Sequence, residues 1–399
     1  MEVIVRRNDS LWYFSQLFDI PTLLIEKSNP KLTASSLSAG QCLQIPGYRL
    51  REYIACENDS LWEIAKQHHL AMDALLLVNP FIKYYTIQAG QQLNIPERIH
   101  HLVVPDGESY TYEKLVDSIE QLITIYPFIQ AQSIGQSVMG KDLMELTIGM
   151  GDKHVHINGS FHANEWITTS VILKFLNHYV LALTNNTSLN GIFMLSQYMN
   201  TCLSIVPMVN PDGVNLVLNG AAAAGPYQEK VYRLNHKRND FSGWKANISG
   251  VDLNKQYPAL WEKEAERKPV LPGPRDFPGQ TALSEPESIA MAELAKRKNF
   301  SQVMAFHTQG KEIYWGFAGL EPAFAACIVD EYARVSGYQA VRHLDNYAGY
   351  KDWFIKTFHK PGFTIELGSG VNPLPIEQFS IIYRESLGIM LALLYLPDK

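Results

Sequence analysis

Along the first hundred residues, apolar and polar positions trace one short pattern twice, at a constant offset of fifty. Each copy opens with a few residues alternating between apolar and polar (3–5 and 53–55), the period of a strand. Asp9-Ser10 and Asp59-Ser60 follow as N-cap chemistry, so helices are predicted to start at Leu11-Trp12 and Leu61-Trp62. In the second copy Leu61, Ile64 and Ala65 fall at helical spacing. A second helix is expected over 20–27 and 72–78, stopping at Asn29-Pro30 and Asn79-Pro80, because a residue before proline is driven out of the α region. Closing strands over 42–45 and 92–95 complete two βααβ units, and Gly40-Gln41 with Gly90-Gln91 keep the same offset.

The rest of the chain has a different rhythm. Residues 97–108 (ERIHHLVVPDGE) read as a solvated linker with a short strand, and the adjacent His100 and His101 cannot both face one ion. Beyond 109, helical and strand patterns alternate, as in a single large α/β core. Leu115, Ile119, Leu122 and Ile123 share a face of a helix over 112–125. A buried strand at 155–159 leads into Ser160-Phe-His162-Ala-Asn-Glu165-Trp and a helical run over 167–183. Further strands end at Asn210-Pro-Asp-Gly213, at His307 and at Glu366-Leu367. Ala221 to Ala224, between glycines, reads as a flexible insertion, and Glu262-Lys-Glu-Ala-Glu-Arg-Lys268 as a solvated helix face or loop. The expected domains are 1–47, 51–97, a linker at 98–108, and 109–399.

Composition narrows the class. With 399 residues, 46% hydrophobic and 19% charged, the chain has the make-up of a well-packed globular protein of two or three domains. A net charge of -6 argues against a nucleic-acid partner. No run approaches the roughly 18 consecutive apolar residues of a membrane span. The start has no signal-peptide core. The expectation is therefore a cytoplasmic protein, or one that reaches a cell wall by another route. Cys42, Cys56, Cys202 and Cys327 are scattered and read as free or buried thiols.

Chemistry gathers at strand ends. Residues three apart at a helix entry point the same way, so His162 and Glu165 can meet one cation. Such a pair alone is weak evidence. His307, closing a strand, suits a third ligand at a sheet's carboxyl edge, where open α/β sheets keep their sites. Two imidazoles and one carboxylate leave an open position on Zn²⁺, as catalytic sites do.

Two resemblances follow from these residues. The Asp-Ser-Leu-Trp start, the Asn-Pro and the closing Gly-Gln-x-Leu-x-Ile-Pro resemble the LysM module over 2–46 and 52–96. That resemblance implies binding of N-acetylglucosamine-containing glycan such as peptidoglycan or chitin. The remainder resembles the zinc carboxypeptidase family over nearly all of 109–396, which implies a mixed sheet flanked by helices. The family's ligands fall on His162, Glu165 and His307, holding one Zn²⁺ per chain, and its catalytic glutamate on Glu366. Asp252, in Gly250-Val-Asp252-Leu-Asn254, matches the carboxylate that orients a ligating histidine. Its mobile tyrosine corresponds to Tyr347, with Tyr350 as competitor.

The departures matter as much. Where the family has an asparagine and an arginine for the substrate's terminal carboxylate, this chain has Asn254 and Lys255, so the bidentate fork is missing. Lys245 stands where a second arginine would steady the carbonyl oxygen, with Arg238 as an alternative. Lys351 and Asp352 fall where the resemblance implies the side-chain specificity pocket, so either is expected to meet a charged substrate group such as the distal ammonium or carboxylate of diaminopimelate. Together these features resemble the branch comprising γ-D-glutamyl-L-diamino acid endopeptidases of spore-forming bacteria, which cut peptidoglycan stem peptides. The alternatives are a carboxypeptidase trimming the muropeptide end, and a wall-binding protein without activity.

Overall fold

The computed structural model describes residues 1–32, 37–343 and 345–397. Its contacts divide it into two compact units that cut across chain order. The first comprises Met1–Val104, Ser118–Gln130 and Asn177–Leu195; the second comprises Pro105–Asp117, Ala131–Leu176 and Ser196–Lys399.

In the first unit the repeat folds as expected. β1 (Glu2–Ile4), α1 (Leu11–Phe18), α2 (Thr22–Ser28) and β2 (Cys42–Gln44) form one copy. The other comprises β3 (Tyr48–Ile54), α3 (Leu61–Gln67), α4 (Met72–Val78) and β4 (Gln92–Arg98). Ser10 and Ser60 cap α1 and α3, accepting from Tyr13 N and Glu63 N. The Asn-Pro landmarks have a structural purpose. Asn79 Nδ2 donates to Leu75 O at 2.8 Å and to Asn94 O at 2.7 Å, while its Oδ1 accepts from Asn94 N at 2.8 Å. Asn29 makes the matching bonds to Ile25 and Gln44, so each asparagine latches a helix to the closing strand.

The linker expectation is corrected here. β4 continues to Arg98, whose guanidinium donates to Asp19 and to Thr184 O, and Ile99 N donates to Gly47 O at 2.9 Å. Ile99 and Val104 are buried, so this stretch is packed through apolar side chains; His100 and His101 are exposed as expected.

The second unit is built on a mixed sheet, preceded in the chain by α5 (Tyr112–Ile125). Among the described residues eight strands join it, in the order β13-β12-β14-β11-β7-β10-β6-β5. They are β5 (Gln130–Gln136), β6 (Asp142–Ile148), β7 (Lys153–Asn158), β10 (Thr201–Val206), β11 (Gln302–Thr308), β12 (Glu312–Tyr314), β13 (Gln339–Val341) and β14 (Gly362–Leu367). A small hairpin that belongs to the first unit pairs β8 (Ser188–Leu189) with β9 (Ile192–Phe193). The four central strands run parallel, and β11 is buried at every position, as befits a strand covered on both faces.

The helices of this part of the chain are α6 (Ile167–Thr184), α7 (Met194–Asn200), α8 (Pro211–Asn219), α9 (Gln228–Leu234), α10 (Trp261–Ala265), α11 (Pro286–Lys298), α12 (Ala325–Ser336), α13 (Tyr350–Phe358) and α14 (Phe379–Tyr395). The stretch Ala163–Thr184 is long and apolar enough to cross a membrane by length and composition, but its window is 83% buried, the pattern of a core helix. Two sequence expectations fail. Ala221–Tyr227 is a 3₁₀ turn with Ala224 packed among Leu216, Val231 and Trp244, not a flexible insertion. The charged run at 262–268 turns Glu264 wholly inward. All four cysteines are free.

Candidate metal centre and cleft

The site lies where the parallel strands end. After β7 the chain turns through Gly159, where an added Cβ would crowd Ile172 Cδ1 at 2.8 Å, Thr168 Oγ1 at 3.0 Å and Pro207 O at 3.2 Å. Ser160 follows with φ 52, held by Thr168 Oγ1 on its N–H and by Thr169 on its hydroxyl. His162 then begins a 3₁₀ turn (Ala163–Glu165) that aims imidazole and carboxylate the same way. Their Nδ1 and Oε1 are 2.8 Å apart. β11 contributes His307, its Nδ1 2.9 Å from Glu165 Oε2 and 3.2 Å from His162 Nδ1. The ligand atoms of all three buried residues lie within 4.8 Å of one another.

The donor set fits a metal ion. Two ring nitrogens and a carboxylate converge, and the far nitrogen of His162 donates to Asp252 Oδ1 at 3.2 Å. That bond leaves the Nδ1 lone pair facing the cluster, as ligation requires. Glu165 is further fixed by Thr308 N at 3.2 Å and Asn372 Nδ2 at 3.3 Å.

Charge is concentrated here. Burial pulls the His162 imidazole down, but the Glu165 and Asp252 carboxylates outweigh it and hold it up at about 9. Burial pushes Glu165 and Asp252 up, yet the neighbouring imidazoles hold Glu165, and His162 with the ammonium groups of Lys245 and Lys255 hold Asp252, well below the usual carboxylate range. Glu366, paired in register with His307 across β14 and β11, is pushed up to about 8 by burial and by the Glu165 carboxylate. Lys245 is raised: burial opposes its charge, but Asp252 and Glu165 outweigh that.

A cleft of about 800 Å³ opens over this cluster. It is lined by His162, Glu165 and Glu366, and also by Lys245, Asn254, Lys255, Lys351 and Asp352, eight of the residues expected from sequence. Asn254 Nδ2 is 3.3 Å from His307 Nε2. Lys351 and Asp352, on the first turn of α13, are buried and paired at 2.7 Å.

Three expected residues are not brought to the cleft. Arg238 is exposed beyond α9 and does not line it. Tyr347 lies under Lys263 and Arg267, its hydroxyl 2.9 Å from Lys263 Nζ, because those cations offer its ring and oxygen better partners than open solvent. Tyr350 is fully buried among Phe161, Tyr257 and Trp353. Conversely, Arg275, Lys268 and Tyr314 line the cleft and were missed. Arg275 arrives on a Gly-Pro-rich loop whose Pro274 O accepts from Lys245 N and Ala246 N, a pairing with no periodic signal. Tyr314 sits on β12, where the alternation of a three-residue strand was its only sign.

Comparison with known proteins extends the picture. The zinc carboxypeptidase family profile matches residues 115–322, and the LysM domain profile matches 3–46 and 55–96. Gamma-D-glutamyl-L-diamino acid endopeptidase 1 of Lysinibacillus sphaericus is 56% identical over 396 residues, covering 99% of this chain and 100% of that protein. The uncharacterized protein YqgT of Bacillus subtilis (strain 168) is 50% identical over 285 residues, 70% of this chain and 76% of that protein. Bovine thrombin-activatable fibrinolysis inhibitor, solved in complex with tick carboxypeptidase inhibitor, shares the fold. Its TM-score is 0.57 at 19% identity, covering 72% of this chain and 97% of that one.

Proposed function

The chain belongs to the zinc carboxypeptidase family and is a metallopeptidase with two LysM domains; on that premise we propose that it cuts the γ-D-glutamyl–diaminopimelate bond of peptidoglycan stem peptides. The observation that carries the reading is the 56% identity with the Lysinibacillus sphaericus endopeptidase, which spans both chains almost end to end and so includes both LysM domains.

In this reading His162, Glu165 and His307 would hold one Zn²⁺. When bound, the ion polarises the scissile carbonyl and brings the acidity of water towards neutral pH. Glu366 accepts the attacking water's proton at its carboxylate and delivers it to the leaving amine. Asp252 keeps His162 in the tautomer that faces the metal. The Lys245 ammonium, which lines the cleft, would stabilise the oxyanion that develops during attack.

Substrate features match the walls. The buried Lys351–Asp352 ion pair forms the polar stretch of wall at which we place diaminopimelate's distal ammonium and carboxylate. The LysM domains would hold N-acetylglucosamine-containing glycan while the peptide is cut, in a sporulation-associated or wall-associated setting. Mass spectrometry after incubation with L-Ala-γ-D-Glu-diaminopimelate, with and without a terminal D-Ala, tests the reading. Release of L-Ala-D-Glu from both substrates is expected; release of D-Ala alone would overturn it in favour of end-trimming.

A further inference from the structure

We propose that Glu264 decides where along a peptide this enzyme cuts, by occupying Lys255 and silencing the carboxylate clamp that an enzyme working from a chain end requires. The inference rests on the cleavage reading above and names a residue that enforces it.

Lys255 follows Asn254 and lines the cleft one residue from the His307 contact. It is the cation that could greet a terminal carboxylate there. An ammonium has three N–H donors. The Lys255 ammonium donates to Glu264 Oε1 at 2.6 Å, to Asn346 Oδ1, and to Tyr347 O at 3.4 Å. All three directions are taken by acceptors of the protein itself.

Glu264 is held as firmly. It is wholly buried. Its Oε2 accepts from Arg267 Nε at 2.9 Å, Arg267 Nη2 at 2.6 Å and Tyr347 N at 3.2 Å, and Lys268 Nζ stands 3.7 Å from Oε1. A buried carboxylate with such partners stays ionised and stays in place.

The consequence concerns what the cleft can accept. A terminal carboxylate entering it loses water and needs a cation with free donors in return. Lys255 has no unused N–H there, and the Glu264 carboxylate 2.6 Å from its ammonium repels an incoming anion. A peptide that continues past the cut presents a neutral amide at the same point and needs no such cation. Stem peptides ending at diaminopimelate and those carrying a further D-Ala are therefore cut alike. Glu264 acts through Lys255, as a positioning residue.

The test is the ratio of kcat/KM for the tripeptide ending in diaminopimelate to that for the tetrapeptide ending in D-Ala. For the wild type we expect a ratio within about threefold of one. Glu264→Gln keeps the shape but uncovers the Lys255 charge, and should raise the ratio about tenfold, chiefly through KM. A folded E264Q with an unchanged ratio overturns the proposal. Should E264Q fail to fold, Lys255→Met decides: both rates falling in step supports the proposal, and selective loss of the tripeptide overturns it. A wild type that releases only D-Ala refutes the proposed bond separately, while the same ratios for the two variants still judge the charge argument.

Discussion

Replacing Asp252 with asparagine isolates what one buried charge does for metal binding. The Asp252 carboxylate is fully buried, and its Oδ1 accepts from His162 Nε2 at 3.2 Å and from Asn254 N at 3.1 Å. An asparagine side chain there would keep the shape and one acceptor oxygen but lose the charge. Hydrogen bonds to charged groups are worth about 1.5–3 kcal/mol. Loss of a carboxylate behind a ligating histidine lowers metal affinity about 10- to 100-fold, the same size when converted at about 1.4 kcal/mol per decade. D252N should therefore bind zinc about 10- to 100-fold more weakly than the wild type, measured by competition with a chromogenic chelator near neutral pH. Acid stability gives an independent check on sign. Because the folded pKa of Asp252 is depressed, its contribution is present above the unfolded carboxylate pKa and is lost as pH falls through the folded one. The ion-free variant should consequently lose less stability on acidification. A well-folded D252N whose zinc affinity stays within about threefold of the wild type would refute the reasoning.

Three further outcomes follow from the site. Glu366→Gln should cut kcat by about 10²- to 10⁴-fold while zinc content by elemental analysis stays at the wild-type level; near-normal turnover would mean that another group moves the proton. Since neighbouring carboxylates hold His162 up at about 9, metal must displace a proton from it below that pH. Apparent zinc affinity should rise about tenfold per pH unit up to that value and level off above it, and a flat profile in chelator competition would contradict this. Phe161→Ala removes a fully buried ring stacked on His307 at 6.0 Å and should cost about 3–5 kcal/mol in denaturant unfolding; a loss below about 1 kcal/mol would show that the neighbouring rings close the gap.

Much of the fold was legible because the signals were local. The caps at Ser10 and Ser60, the helix stops before proline and the periodicity of Leu115, Ile119 and Leu122 each act within a turn or two of chain. The metal centre was legible for a related reason. His162 and Glu165 are three residues apart, and His307 and Glu366 both sit at strand ends, where a parallel sheet keeps its chemistry. The cleft walls were not legible. Arg275 reaches the site through Pro274 O, bonded to Lys245 N and Ala246 N from a distant stretch of chain, and nothing in its own neighbourhood marks that contact. Tyr347 shows the converse: the family resemblance suggested the cleft, but Lys263 and Arg267 capture its ring.

Glu264 shows most sharply where local reading stops and what that means for function. In a run alternating acidic and basic residues, every charge has a plausible place in water, so a solvated face was the natural expectation. A carboxylate leaves water only when enough cations wait inside, and here three do: Lys255 from the cleft wall, and Arg267 and Lys268 from its own run. Two of those partners are sequence neighbours, but the third is fixed by the turn after Asp252, so burial of Glu264 depends on that turn being in place. In the proposed mechanism His162, Glu165, His307 and Glu366 supply what breaking an amide bond requires. They cannot distinguish an enzyme that trims ends from one that cuts within. That distinction is made a short way further along the cleft, where a Lys255 with free donors would invite a carboxylate and a Lys255 held by the Glu264 carboxylate does not.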